Sequence, residues 1–194
     1  MSAEHVPSKE AARALGRSAR QAVRATDRAL YAAAAAQRLL ALPEIVRARV
    51  VLAYAATPEE IDPAPVVDAL RRRGVTVALP RVAGREELTV QRVDANMPLV
   101  RSKFGIIEPP ADAPEISPAN IDVAIVPGVA FDESCQRVGH GIGYYDRLLA
   151  RMPHATAVGL AFDSQVLAEV PSEEHDVSLD VLVTPTRTIR HEQP

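Results

Sequence analysis

The sequence predicts an α/β fold: a single three-layer domain with a mostly parallel sheet and helices on both faces. Three observations predict it. Residues 49–79 read as strand, helix, strand, which implies a parallel pair joined by a right-handed crossover. The same alternation of short apolar runs and helical segments returns between residues 121 and 184. No internal repeat or low-complexity linker divides the 194 residues, so residues 1–194 read as one domain with a sizeable core.

Taken in order, residues 7–41 are Ala-rich and read as two helices, with a break near 22–27 where Thr26 and Asp27 offer a new N-cap. Residues 1–45 thus form an N-terminal helical segment expected to pack on the α/β core. Arg49–Tyr54 is an apolar run of buried-strand length. Asp62–Arg73 gives a helix with Gly74 as its C-cap, and Val75–Leu79 the next strand. Leu88–Val93 is a further strand, followed by an irregular stretch carrying Pro98, Pro109, Pro110, Pro114 and Pro118. Ile121–Val126 is a strand ended by Pro127 and Gly128, Tyr144–Arg151 a short helix, and Thr156–Ala161 a strand. Gln165–Val170 reads as a helical turn and Val181–Thr184 as the last strand. From Arg187 the chain is polar, so 187–194 is expected to be a flexible tail.

Composition narrows the function classes. Hydrophobic residues at 47% and charged residues at 24% are ordinary for a globular protein and exclude disordered and collagen-like classes. The lone Cys135 rules out an internal disulfide and a Cys-based zinc site, and it fits a reducing, cytoplasmic location. The start of the chain, with Glu4 and His5 and no apolar segment, does not resemble a secretion signal. No apolar run reaches membrane-spanning length, and Ala32–Ala36 is flanked by Arg28 and Arg38. A formal net charge of -3 gives no general reason to expect a nucleic-acid partner. A monomer is expected.

The chemistry should lie at the carboxyl ends of the strands, where open α/β sheets bind ligands. The stretch leaving strand 121–126 places Gly139, Gly141 and Gly143 at alternate positions directly before a helix. Glycines let the backbone approach a ligand closely, and amides at a helix start suit phosphate. Arg137 adds a guanidinium shaped for phosphate oxygens. The spacing is neither the G-x-G-x-x-G of dinucleotide folds nor a P-loop. Three glycines alone are equally compatible with a plain connecting turn; Arg137, Tyr144, Tyr145 and Asp146 tilt the reading toward a site. Asp146 is either helix-start electrostatics or a ligand for Mg2+ held between protein and phosphates. Glu173, Glu174, Asp176 and Asp180 could supply a second carboxylate, although by composition they read as a solvated loop. Lys9, Arg13, Arg17, Arg20, Arg24 and Arg28 align along one side of a helix. From Arg17 onward they read as a solvated face, whereas the first members could turn toward a polyanion.

These segments resemble the 5-formyltetrahydrofolate cyclo-ligase (5,10-methenyltetrahydrofolate synthetase) family over nearly the whole chain. The run Ile125–Asp132 followed by Arg137–Arg147 is similar to the family's hallmark segment, and it is highly specific. Lys9-x-x-x-Arg13, Glu60-Ile61-Asp62, Phe104–Pro109 and Val170–Asp180 resemble further family motifs in the right order. The resemblance implies a fold related to sugar-phosphate isomerases and CoA-transferases. It implies ATP as co-substrate, Mg2+, and a reduced folate as substrate. On that resemblance Lys9, Arg13, Arg137, Gly139, His140, Gly141, Ile142, Gly143, Tyr144 and Tyr145 would bind ATP, and Asp146 and Asp176 would hold the metal. Glu60 would contact the pterin, with Tyr144 and Tyr145 bordering the formyl group. The family reaction needs no side-chain nucleophile, and no residue is assigned a proton-transfer role.

This chain departs from the family pattern at several positions. Cys135 stands where Gly is usual, Val138 where Leu is, and Ile142 where Gly or Lys is. Pro63 replaces a usual Thr and Ala12 a usual Leu. None removes an implied ligand. Two other readings remain: a non-catalytic relative binding nucleotide or RNA through the basic N-terminal face, and an ATP-independent sugar-phosphate isomerase on a related fold.

Overall fold

The computed structural model describes residues 8–102 and 105–191. The first seven residues, Phe104 of the expected G-x-x-E-P segment, and residues 192–194 of the expected tail lie outside them.

Among the described residues there are five α-helices: α1 (Lys9–Ala22), α2 (Ala25–Leu40), α3 (Pro43–Arg47), α4 (Ala64–Arg72) and α5 (Tyr144–Leu149). The strands are β1 (Val50–Leu52), β2 (Thr76–Val82), β3 (Leu88–Arg92), β4 (Val100–Arg101), β5 (Ile107–Glu108) and β6 (Val123–Val126). They continue with β7 (Ala130–Asp132), β8 (Arg137–Val138), β9 (Thr156–Leu160), β10 (Val166–Leu167), β11 (Val181–Val183) and β12 (Thr188–Arg190). The main sheet runs β12-β11-β9-β6-β1-β2-β3. Its five central strands are parallel, and β3 and β12 close the two edges antiparallel.

Side chains alternate across each strand, so one strand feeds two cores. In β6, Val123 and Ile125 enter the layer beneath α2, α3 and α4, while Ala124 and Val126 enter the opposite layer. That second layer is capped by α5, by Phe131 of β7 and by Cys135 in the turn between β7 and β8. Helices therefore lie on both faces, as expected. The small sheet β10-β7-β8 was not legible as strands, and α1 packs on it through Ala12 against Ala130, Val138 and Val170.

Helix α1 starts where Ser8 Oγ accepts from the Ala11 N–H at 3.1 Å, a side-chain N-cap. The break before α2 falls where expected, but Thr26 and Asp27 lie inside the first turn and Arg24 takes the cap position. Asp27 instead receives the Arg24 guanidinium. Helix α4 starts later than expected, at Ala64, because Pro63 sits at the cap and Asp62 accepts from the Ala64 N–H.

Two expectations are corrected. Residues 165–170 do not form a helical turn: a short 3-10 segment over Asp163–Gln165 leads directly into β10. Gln165 is buried and spends its amide on the Gly128 and Val129 carbonyls, which holds this chain against β7. The polar stretch after Arg187 is not frayed over Thr188–Arg190, which pairs with β11. Arg190 also grips Glu44 with two bonds, and backbone pairing satisfies an edge that would otherwise be open. Among the described residues no helix is long and apolar enough to cross a membrane.

Candidate active site

A cavity of about 990 Å³ opens at the carboxyl ends of β1, β2 and β6. Its size falls in the range of small-molecule binding sites. The following segments reach it because strand ends converge there. After β1 come Tyr54 and Glu60; Pro80 and Val82 belong to β2; Pro127 leaves β6; the loop after β8 supplies residues 139–143, and the start of α5 supplies Tyr144 and Tyr145. All of the sequence-proposed residues line it: Lys9, Arg13, Glu60, Arg137, Gly139, His140, Gly141, Ile142, Gly143, Tyr144, Tyr145, Asp146 and Asp176.

The glycine loop is held open from both sides. Arg13 Nε donates to the Gly139 carbonyl at 2.9 Å, and Arg147 donates to the Ile142 carbonyl at 2.7 Å. Gly141 and Gly143 adopt φ of +104° and +75°, a region that side chains other than Gly rarely occupy. Helix α5 has only six residues, so its dipole is small and the loop amides dominate. Ile142 is 52% exposed and lines the cavity.

Arg137 is nearly buried and donates to Asp146 Oδ1 at 2.7 Å. Burial pulls its pKa below the ordinary arginine value, with Asp146 opposing. Asp146 Oδ1 also accepts from the Val177 N–H, which brings the chain of Asp176 beside it. Lys9 Nζ contacts Asp176 at 2.6 Å and Glu173 at 3.0 Å. Burial works against the Lys9 charge, but these two carboxylates outweigh it and raise its pKa. Burial likewise pushes Asp176 up, and the Lys9 bond reverses this to leave it below the usual carboxylate value.

Among the described residues no three His, Cys, Asp or Glu side chains converge on a metal position. Asp146 and Asp176, which both line the cavity, are carboxylates of the donor type that an ion like magnesium takes. Such an ion uses one or two carboxylates and completes its shell with phosphate oxygens and water.

Glu60 also lines the cavity, beside His140 of the glycine loop. Its Oε2 accepts from the Thr57 N–H at 2.8 Å, while Oε1 faces Arg20 Nη1 at 3.4 Å and His140 Nε2 at 3.6 Å. Burial tends to raise its pKa, yet His140, Thr57 and Arg20 together hold it below the ordinary glutamate value. Tyr145 carries a buried hydroxyl with no hydrogen-bond partner among the described residues. Burial raises its pKa, so it stays protonated and can donate rather than act as a base.

Two residues, Arg20 and Tyr54, escaped the sequence reading as site residues, and a third, Glu108, entered it only as part of a motif. Arg20, assigned there to a solvated face, is buried beside Glu60. A signal existed, because Ala12, Gly16 and Arg20 are four residues apart and form the buried stripe of α1. Tyr54 lies at the end of β1, where ligands are expected, and donates to the Ile61 carbonyl at 2.6 Å. Glu108 also reaches the cavity and binds Arg81 at 2.7 Å, clasping β5 to β2. The inward turn of Lys9 and Arg20 takes two cations from the basic face on which an RNA-binding reading depends.

Comparison with known proteins agrees with this geometry. The family model described as "5-formyltetrahydrofolate cyclo-ligase family" matches residues 5–185. The 5-formyltetrahydrofolate cyclo-ligase of Escherichia coli (strain K12) is 36% identical over 160 residues, covering 79% of this chain and 87% of that protein. The cyclo-ligase of Mycolicibacterium smegmatis is 33% identical over 162 residues, covering 74% and 77%. The solved structure of Aquifex aeolicus 5,10-methenyltetrahydrofolate synthetase superposes with a TM-score of 0.83 at 32% identity, over 96% of this chain and 94% of that one. A Mycoplasma pneumoniae 5,10-methenyltetrahydrofolate synthetase, at 21% identity and a TM-score of 0.73 over 91% and 98%, shares the fold. A match spanning nearly the whole chain, with this fold and this loop, makes the protein a ligase and a member of the 5-formyltetrahydrofolate cyclo-ligase family.

Proposed function

We propose that this protein converts 5-formyltetrahydrofolate to 5,10-methenyltetrahydrofolate, consuming ATP in the presence of Mg2+ and releasing ADP and phosphate. One observation supports the reading most: residues drawn from positions 9 to 176 line one cavity, where Lys9, Arg13, Arg137 and the glycine loop meet Glu60.

In this reading Lys9, Arg13, Arg137 and the amides of residues 139–145 bind the triphosphate. Glu60 accepts from the pterin, and Tyr144 and Tyr145 border the formyl group. The 5-formyl oxygen attacks the γ-phosphorus, the bond to the β,γ-bridging oxygen breaks, and ADP departs with that electron pair. The product is an iminium phosphate. N10 then attacks the activated formyl carbon and loses its proton, the carbon–oxygen bond breaks, and phosphate leaves as the ring closes. Positioning and charge neutralisation are what the first step needs, and orientation is what the second needs. Mg2+ held by Asp146 and Asp176 would supply further neutralisation of the phosphate oxygens. No nucleophilic side chain is called for, in keeping with the inert, buried Cys135.

The test is direct. Purified protein given 5-formyltetrahydrofolate, ATP and Mg2+ is expected to develop the near-ultraviolet absorbance of the methenyl product, and to lose it without ATP or with EDTA. Folded protein giving neither product nor ATP hydrolysis overturns the proposal. ATP-independent turnover of a sugar phosphate would put an isomerase in its place.

A further inference from the structure

Arg20 is a cation taken out of water. Its side chain is 6% exposed, and its neighbours are two carboxylates: Glu60 Oε1 at 3.4 Å and Glu59 Oε2 at 3.6 Å. Its Nε is buried and finds no hydrogen-bond partner among the described residues. A buried guanidinium is costly unless an anion answers it. Glu59 is 43% exposed, so solvent screens its share. Glu60, at 9%, is the partner that shares the dry environment.

Three groups could hold Glu60, and they differ in firmness. The Thr57 N–H fixes Oε2. His140 faces Oε1, but its side chain is 59% exposed and rides on the glycine loop. Arg20 stands on a fourteen-residue helix seated tightly against the β7 strand region, where Gly16 meets the Val129 carbonyl. It is therefore the rigid support of Oε1. A carboxylate oxygen has about two acceptor sites. Thr57 takes one site on Oε2 and Arg20 one on Oε1; the second site on Oε2, and that on Oε1 once the exposed His140 moves aside, can receive the adjacent N–H donors of a pterin edge. Fixing both oxygens from behind sets the rotation of the carboxylate, and hence that pairing.

We infer that Arg20 is a positioning residue for the folate, fixing the Glu60 carboxylate in the orientation from which it receives the pterin. The inference rests on the reading in which Glu60 contacts that ring. The charged and titratable groups around Glu60 are Arg20 and Glu59, His140 of the loop, and the phenols of Tyr54 and Tyr145. Removing Arg20 leaves burial, which disfavours the Glu60 charge, opposed chiefly by Thr57 and His140.

The experiment compares full-length wild type with Arg20→Met, Arg20→Gln, Arg20→Lys, Glu60→Gln and the Arg20→Met/Glu60→Gln double variant. Steady-state constants for both substrates are measured from acid to neutral pH. Arg20→Met is expected to raise KM for 5-formyltetrahydrofolate about tenfold, the effect of losing one charge-assisted hydrogen bond. Its kcat and its KM for ATP should change less than about twofold, and the acid limb of kcat/KM for the folate should move to higher pH. Arg20→Lys should recover part of the loss, and the double variant should be no worse than Glu60→Gln alone. Arg20→Gln, which keeps an uncharged hydrogen-bond donor on a shorter side chain, carries the test if the methionine variant does not fold. Equal rises in both KM values, or an unmoved acid limb, overturn the inference and make Arg20 a packing residue. If Glu60→Gln raises the folate KM and the Arg20 variants do not, the inference alone fails. If Glu60→Gln leaves that KM unchanged, the reading of Glu60 fails first.

Discussion

Lys9 Nζ lies 2.6 Å from Asp176 Oδ2, joining helix α1 to the loop before β11 across most of the chain's length. The proposed phosphate-binding cation and a proposed metal-binding carboxylate thus neutralise each other within the protein. A nucleotide entering with its divalent ion offers each a new partner of the right sign, so the exchange requires no uncompensated charge.

The pair makes Lys9 testable in two ways. Lys9→Met should raise KM for ATP about tenfold, as loss of one charged phosphate contact. The pKa of Asp176 is depressed and that of Lys9 raised in the folded protein. The stability from Asp176 is therefore present at neutral pH and lost as pH falls through its lowered value. That from Lys9 is present below the ordinary lysine value and lost as pH rises through its raised one. Urea unfolding of wild type against Lys9→Met should show a difference at neutral pH that disappears in acid and in strong alkali.

Gly16→Ala should destabilise the protein despite the better helix propensity of alanine. An added Cβ would stand 2.3 Å from the Val129 carbonyl oxygen, which is backbone and cannot swing away. Overpacking of about 1–3 kcal/mol exceeds the propensity gain of about 1 kcal/mol. A lower urea midpoint with unchanged slope is expected; a higher midpoint would show that α1 is not pressed against this strand.

Cys135 holds φ of +61° in the β7–β8 turn, which accounts for the glycine usual in the family there. Burial, with Asp132 and Asp180 adding to it, pushes its thiol up to about 11. Iodoacetamide should fail to label native protein at neutral pH and label it readily in urea. Between replacements, Cys135→Gly should be more stable than Cys135→Ala, because both lose the buried sulfur but only glycine relieves a left-handed strain of about 1 kcal/mol.

Arg137→Met should be the most damaging single change in the phosphate region. It leaves the Asp146 carboxylate without its 2.7 Å partner and withdraws a proposed phosphate ligand. A fall of at least about a hundredfold in kcat/KM for ATP is expected, with a loss of about 3 kcal/mol in unfolding free energy. Full affinity for ATP in this variant would move the nucleotide away from residues 137–146.

How far the sequence could be read depended on the range of the interactions. The strands β1, β6, β9 and β11 were legible because their apolar runs are local and continuous, as buried parallel strands require. The glycine loop was legible because spacing and side-chain type are also local. Strands β7, β8 and β10 were not, since two or three residues carry no measurable period and their pairing spans the Asp132 clasp on Ser134, Gln136 and Val170.

By itself the sequence determined the α/β class, the order of the main elements and, through motifs that resemble those of a family, most of the residues gathered at the cavity. Periodicity and motif spacing are written into neighbouring positions. Tertiary structure alone decided which arginine of α1 goes inward and that Thr188–Arg190 becomes an edge strand. Arg20 is buried because Glu60 waits forty residues away, and Arg190 is anchored because Glu44 lies 146 residues upstream. A charged side chain looks the same to its sequence neighbours in either setting. Only the fold supplies the counter-charge that makes burial affordable.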